Sequence, residues 1–158
     1  MTASLTALQA CLEKEARLMG EFLQILQDEA KVLEEGATEQ ALIDTTQRKN
    51  ATADTLMEVA TERNAMLQAL GFGTDGAGLS QAVQQHPSLS AAREALVSIT
   101  EQARALNEAN GRVIEVFLEH NQRALDTLRR LAGVGDIYDA SGRTRPGNPG
   151  ASRNIKAG

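Results

Sequence analysis

From Ser88 or Ser90 to about Leu131 the chain repeats one spacing without a break. Leu89, Ala92, Leu96, Ile99, Ala103, Leu106, Asn110, Val113, Phe117, His120, Ala124, Thr127 and Leu131 follow one another in steps of three and four. That is the heptad seam of a helix packed against other helices, with polar residues at Asn110, His120 and Thr127 interrupting it. A helix over 88–131 would run roughly 60 Å at 1.5 Å per residue. Few folds accommodate such an element. The remaining segments must be long helices too, and part of the seam must pack on something else or stay open.

The front of the chain supplies those helices. Leu5, Leu8, Leu12, Met19, Phe22, Ile25, Leu26 and Leu33 step by three and four with Glu and Lys opposite them, which predicts an amphipathic helix over about 4–35. Gly36 ends it, and Thr38 is the expected N-cap of a second helix over 38–70, with Glu39 in its first turn. That helix carries Leu42, Thr45, Lys49, Leu56, Val59, Met66 and Leu67, and Gly71 is its expected stop. So short a connection at Gly36 makes the two an antiparallel hairpin. "GFGTDGAG", residues 71–78, reads as a plain connector: no strand precedes it, and its glycines fit neither a phosphate-binding loop nor a dinucleotide fingerprint. A short helix over 79–85 follows, closed by His86-Pro87. The expected fold is all-α, an elongated antiparallel helical bundle or coiled coil of about three long helices. It occupies residues 1–132, with a tail over 133–158.

Within the last helix, "LNEANGRVIEVFLEHNQRAL", residues 106–125, combines a penalty with a surplus. Gly111 costs about 1 kcal/mol in a helix interior, and Asn is a mediocre helix former. Immediately beyond, Ile114, Leu118, Leu125 and Leu128 add a second apolar row beside Val113 and Phe117. Two adjacent rows make a wide face. Either this half is buried on two sides, in the bundle or a homodimer, or it is a groove-filling surface for a helical partner. In the second reading Asn110-Gly111 is a point where the helix bends or a neighbour approaches closely.

Charge and composition narrow the function. Aromatic residues make up 3% of the chain and Trp is absent, so the core must be built from aliphatic residues, as in helical bundles. The net charge of −5 argues against nucleic acid as a partner. It is unevenly spread: residues 140–158 hold Arg143, Arg145, Arg153 and Lys156 and no acid, with two of the three prolines. Such a tail buries too little apolar surface to offset its chain entropy, so it is expected to be flexible. No signal peptide or spanning segment is apparent, so no membrane insertion is expected, and a cytoplasmic location is.

Catalytic and metal chemistry find no foothold. Cys11 lacks a partner cysteine and reads as a small buried apolar residue. With only His86 and His120 besides, no zinc ligand set forms, and no paired Glu-x-x-His motif of a di-iron bundle is present. No cofactor is expected and the chain does not read as an enzyme. His120 admits a histidine phosphotransfer reading, but "HNQRAL" lacks the Lys-Gly pattern that follows such an acceptor. A structural homo-oligomeric coiled coil is the other alternative, and would need the wide face permanently buried.

The order of elements after Leu106 is the most specific signal. Leu106, Asn107, Asn110 and Gly111, then Val113-Ile114, then Asn121, Ala124, Leu125 and Leu128, then Tyr138 and Gly142 before a basic tail, resemble the C-terminal region of FlgN-family flagellar export chaperones. Arg112 departs from the apolar residue that commonly follows the Asn-Gly pair. The resemblance covers roughly residues 103–158. It implies a cytoplasmic chaperone, a monomer or weak dimer, that binds helical termini of secreted flagellar hook–filament junction proteins and delivers them to the type III export gate. The client-binding residues it implies are Asn110, Gly111, Val113, Ile114, Phe117, Leu118, Asn121, Ala124, Leu125 and Leu128. Ile137 and Tyr138 would dock on export gate components.

Overall fold

The computed structural model describes residues 2–132, and among these every regular element is helical. Three long helices are present, α1 (Ala3–Glu34), α2 (Glu39–Ala69) and α4 (Ser90–Ala132), with a shorter α3 (Asp75–Gln85) and a 3-10 turn at Pro87–Leu89 before α4. The chain divides into two compact units, Met1–Asn110 and Gly111–Gly158. The division falls inside α4, not where that helix ends.

Helix ends follow local chemistry. Thr2 caps α1 by accepting the Leu5 N–H, and Thr38 caps α2 by accepting the Ala41 N–H. Gly71 closes α2 with φ +88°. Its N–H donates to the Gln68 carbonyl and that of Phe72 to Leu67, the paired bonds of a Schellman motif. Phe72 then folds onto the core beside Leu67, the hydrophobic contact this motif favours.

In Met1–Asn110, α1 and α2 form the antiparallel hairpin. Ion pairs mark its register: Arg48 with Asp28 and Lys49 with Glu29 near one end, Arg63 with Glu15 and Lys14 with Glu62 near the other. The core is aliphatic. Leu5, Leu8 and Leu12 of α1 meet Leu67 of α2, Leu79 and Ala82 of α3, and Leu89, Ala92 and Leu96 at the start of α4. Because Leu89–Leu96 lie by the beginning of α1 and Asn110 lies by Leu26 and Glu29, α4 runs alongside α1 in the same direction up to Asn110.

The glycine-rich stretch is more than a connector. Its second half is already helix, since α3 starts at Asp75 and not at Leu79. A Cβ on Gly78 would collide with the Gly73 carbonyl, so that position needs glycine. Gly73 N–H also donates to the Gln81 side chain. Asp75, at φ +56°, is held from α2: its N–H donates to Asn64 Oδ1, and its carboxylate accepts from Asn64 Nδ2.

Gly111–Ala132, the described part of the second unit, is wholly helical. Not one of its residues is fully buried.

Candidate functional site

Five of the eight large apolar side chains exposed among the described residues lie between Val113 and Leu131, so exposed apolar surface concentrates in this one stretch. Leu118 is 56% and Leu128 61% exposed, with Val113, Val116 and Leu131 also open. Ile114, Phe117 and Leu125 are half-buried, and Asn121 and Ala124 are exposed. At 100° per residue, Val113, Ile114, Phe117, Leu118, Asn121, Ala124, Leu125, Leu128 and Leu131 share one arc of roughly 140°. That is wider than a two-stranded seam and matches the face of a helix contacting two neighbours. The opposite side is charged, carrying Glu115, Glu119 and Asp126 with Arg112, Arg123 and Arg130. Its ion pairs are local and solvent-exposed, Arg123 with Glu119 and Arg129 with Asp126. Such pairs support the helix by a few tenths of a kcal/mol, about 0.3–0.5 each.

The arc retains nine of the ten client-binding residues expected from the sequence, counting Gly111 at its start. Asn110 is the correction. It is 3% exposed, and its Nδ2 donates to the Leu26 carbonyl and to Glu29 Oε1, both at 2.9 Å. Glu29 is itself buried and also accepts from Lys49 Nζ at 3.3 and 3.4 Å. Asn110 therefore belongs to a polar junction joining α1, α2 and α4, and has no free amide for a partner. The seam position was visible in the sequence, but the partners lie far away in the chain.

The role expected of Gly111 also changes. Among the described residues nothing lies within 4 Å of where its Cβ would stand, and α4 continues through it. Close approach of a neighbour does not account for this glycine. Val116 and Leu131 are exposed apolar residues outside the expected set. Leu131 was legible from its seam position. Val116 lies past the arc's edge, where periodicity gave no signal. Ile137, Tyr138 and the tail lie outside the described residues.

Elsewhere the chemistry is quiet. Cys11 is buried, and burial first, then the charges of Glu15 and Glu62, push its thiol up despite Arg63 and Lys14. A protonated thiol is a poor nucleophile. Among the described residues no group of His, Cys, Asp and Glu gathers to hold a metal ion, and no helix is long and apolar enough to cross a membrane. His120 is exposed on α4.

The family model described as FlgN protein matches residues 1–146, nearly the whole chain. No curated protein and no solved structure matches it.

Proposed function

The chain belongs to the FlgN family of flagellar export chaperones, and from that premise we propose that it captures the helical termini of hook–filament junction proteins on the face of α4 beyond Asn110. The observation that carries this reading is the apolar arc from Val113 to Leu131, open along its length. A secreted protein's amphipathic terminus exposes an apolar stripe that aggregates in water. A complementary stripe removes it from solvent, and each large side chain fully buried contributes about 1.5–3 kcal/mol. Leu118, Leu125 and Leu128 are the anchors, flanked by Val113, Ile114 and Phe117. Asn121 supplies a polar contact within the arc, and Gly111 and Ala124 leave room for a partner's side chains.

The client-loaded chaperone then carries its cargo, in the cytoplasm, to the type III export gate. Ile137 and Tyr138 make that second contact, a reading that rests on the family resemblance and on the anchoring capacity of an aromatic ring in a polar segment. Mixing the purified chain with a junction protein tests the first step. The expected result is a soluble complex from a free chain that is a monomer or weak dimer. Leu118→Asp or Leu125→Asp should abolish the complex while helix content stays unchanged. A chain tightly oligomeric by itself, with Leu118 inside its interface, would overturn the reading in favour of a structural coiled coil. The second step is separable from the first. Tyr138→Ala should leave client affinity within about threefold, under 1 kcal/mol, yet reduce secretion of the client. Equal loss of both would place Tyr138 in the client site.

A further inference from the structure

The edges of the α4 face are chemically unequal, and the difference specifies what can lie on it. Counting heptads along the seam, Phe117, Ala124 and Leu131 occupy a positions and Val113, His120 and Thr127 occupy d positions. The g positions along one edge are then Val116, Arg123 and Arg130, and the e positions are Ile114, Asn121 and Leu128. Flanking e and g charges choose partner and orientation when helices pair. Arg123 and Arg130 thus stand one heptad apart on the same edge, both exposed. Arg123 is tied only by an exposed 3.7 Å pair to Glu119, and Arg130 donates to Thr127 Oγ1 at 3.5 Å. Neither arrangement competes strongly with an incoming carboxylate.

Resting on the reading of this face as the client site, we propose that its occupant is an amphipathic helix bearing carboxylates one heptad apart along the edge that meets Arg123 and Arg130. A second copy of this chain does not meet that requirement. In antiparallel pairing g faces g′, which sets Arg against Arg. In parallel pairing g faces e′, which offers Ile114, Asn121 and Leu128 and no acid. Residues 140–158 hold four basic residues and no acid, so they do not supply it either. The edge selects against self-association and for a partner of different sequence.

Two synthetic helical peptides of about three heptads test this, identical in their Leu and Ile stripe but carrying Glu or Lys at the edge positions. With the full chain, the Glu peptide should bind about fivefold more tightly, the worth of two exposed ion pairs. The gap should close in high salt. The chain's net charge of −5 acts in the opposite sense, so a general attraction would favour the Lys peptide. Arg123→Glu with Arg130→Glu should invert the preference, with the helical circular dichroism signal unchanged. That double variant leaves the basic tail intact, so a preference that survives it belongs to the tail and overturns the proposal. Equal binding of both peptides, lost in Leu118→Asp, overturns the charged edge and leaves the apolar face standing. Binding of neither peptide, or binding that Leu118→Asp leaves untouched, overturns the client site itself and the edge with it.

Discussion

Ser90–Asn110 and Gly111–Ala132 are successive stretches of one helix with the same three-and-four spacing of seam residues. In the first, Ala92, Leu96, Ala103 and Asn110 are buried; in the second, no seam residue is. Composition does not explain the contrast, because the second stretch is the more apolar of the two along its face. What differs is what the rest of the chain supplies. Up to Asn110, α1 offers Leu5, Leu8 and Leu12 and then Leu26 and Glu29 as partners. Helical periodicity states which residues share a face and is silent on whether anything covers it. A seam that runs on without its cover is what a binding surface looks like from sequence.

The comparison breaks most visibly under a buried charge. Leu96→Asp places a carboxylate in a position that is 5% exposed, amid Leu8, Leu12 and Leu89. The expected loss is about 4 kcal/mol or more, enough to unfold a chain of ordinary stability. Leu118→Asp, in the other stretch, should cost about 1 kcal/mol or less, mostly from helix propensity. Thermal melts of the two variants read the difference directly. If Leu118→Asp melts as early as Leu96→Asp, the open face is core and the comparison fails.

The polar junction tests where the covered stretch ends. Lys49→Ala leaves the buried Glu29 carboxylate with the Asn110 amide as its remaining side-chain donor, at an expected cost of about 3 kcal/mol. Asn110→Ala removes one donor to Glu29 and one to Leu26, and should cost about 1–3 kcal/mol. Denaturant melts give both values, and the double variant gives their coupling, which is expected to differ from additivity because Glu29 is shared. Client capture per folded molecule should persist in Asn110→Ala, since this side chain is turned into the first unit. A variant that folds normally yet loses the client would return Asn110 to the binding face.

Much of this was legible because much of it is local. Thr38 and the glycines at Gly36 and Gly71 announced helix ends through chemistry that acts within a turn or two. The start of α3 was missed for the same reason: Gly76 and Gly78 are poor helix formers, and what fixes Asp75 is Asn64, on another helix. The burial of Asn110 was missed because its partners come from α1, more than eighty residues earlier in the case of Leu26. The open arc was legible as a surplus of apolar residues, and its exposure was not. Exposure is a property of what the other helices reach, and no window of sequence contains it.

Gly111 sharpens the comparison by the smallest step. It stands first in the open stretch, inside a continuous helix, with nothing described within 4 Å of a Cβ. Sterically, Gly111→Ala is therefore free, and should stabilise the helix by about 0.5–1 kcal/mol by narrowing the unfolded chain's freedom and raising helix propensity. If the two stretches are energetically distinct, the gain should be local. Amide exchange across 111–132, expected to be faster than in α1 of the client-free chain, should slow, while exchange in α1 and α2 should stay as it was. Equal slowing everywhere would mean that the helix opens as one body with the first unit. Client affinity adds a second readout. Unchanged affinity alongside slower exchange would mean that the glycine loosens the arm without shaping the surface, whereas a clear fall would mean that a partner's side chain occupies the space above it.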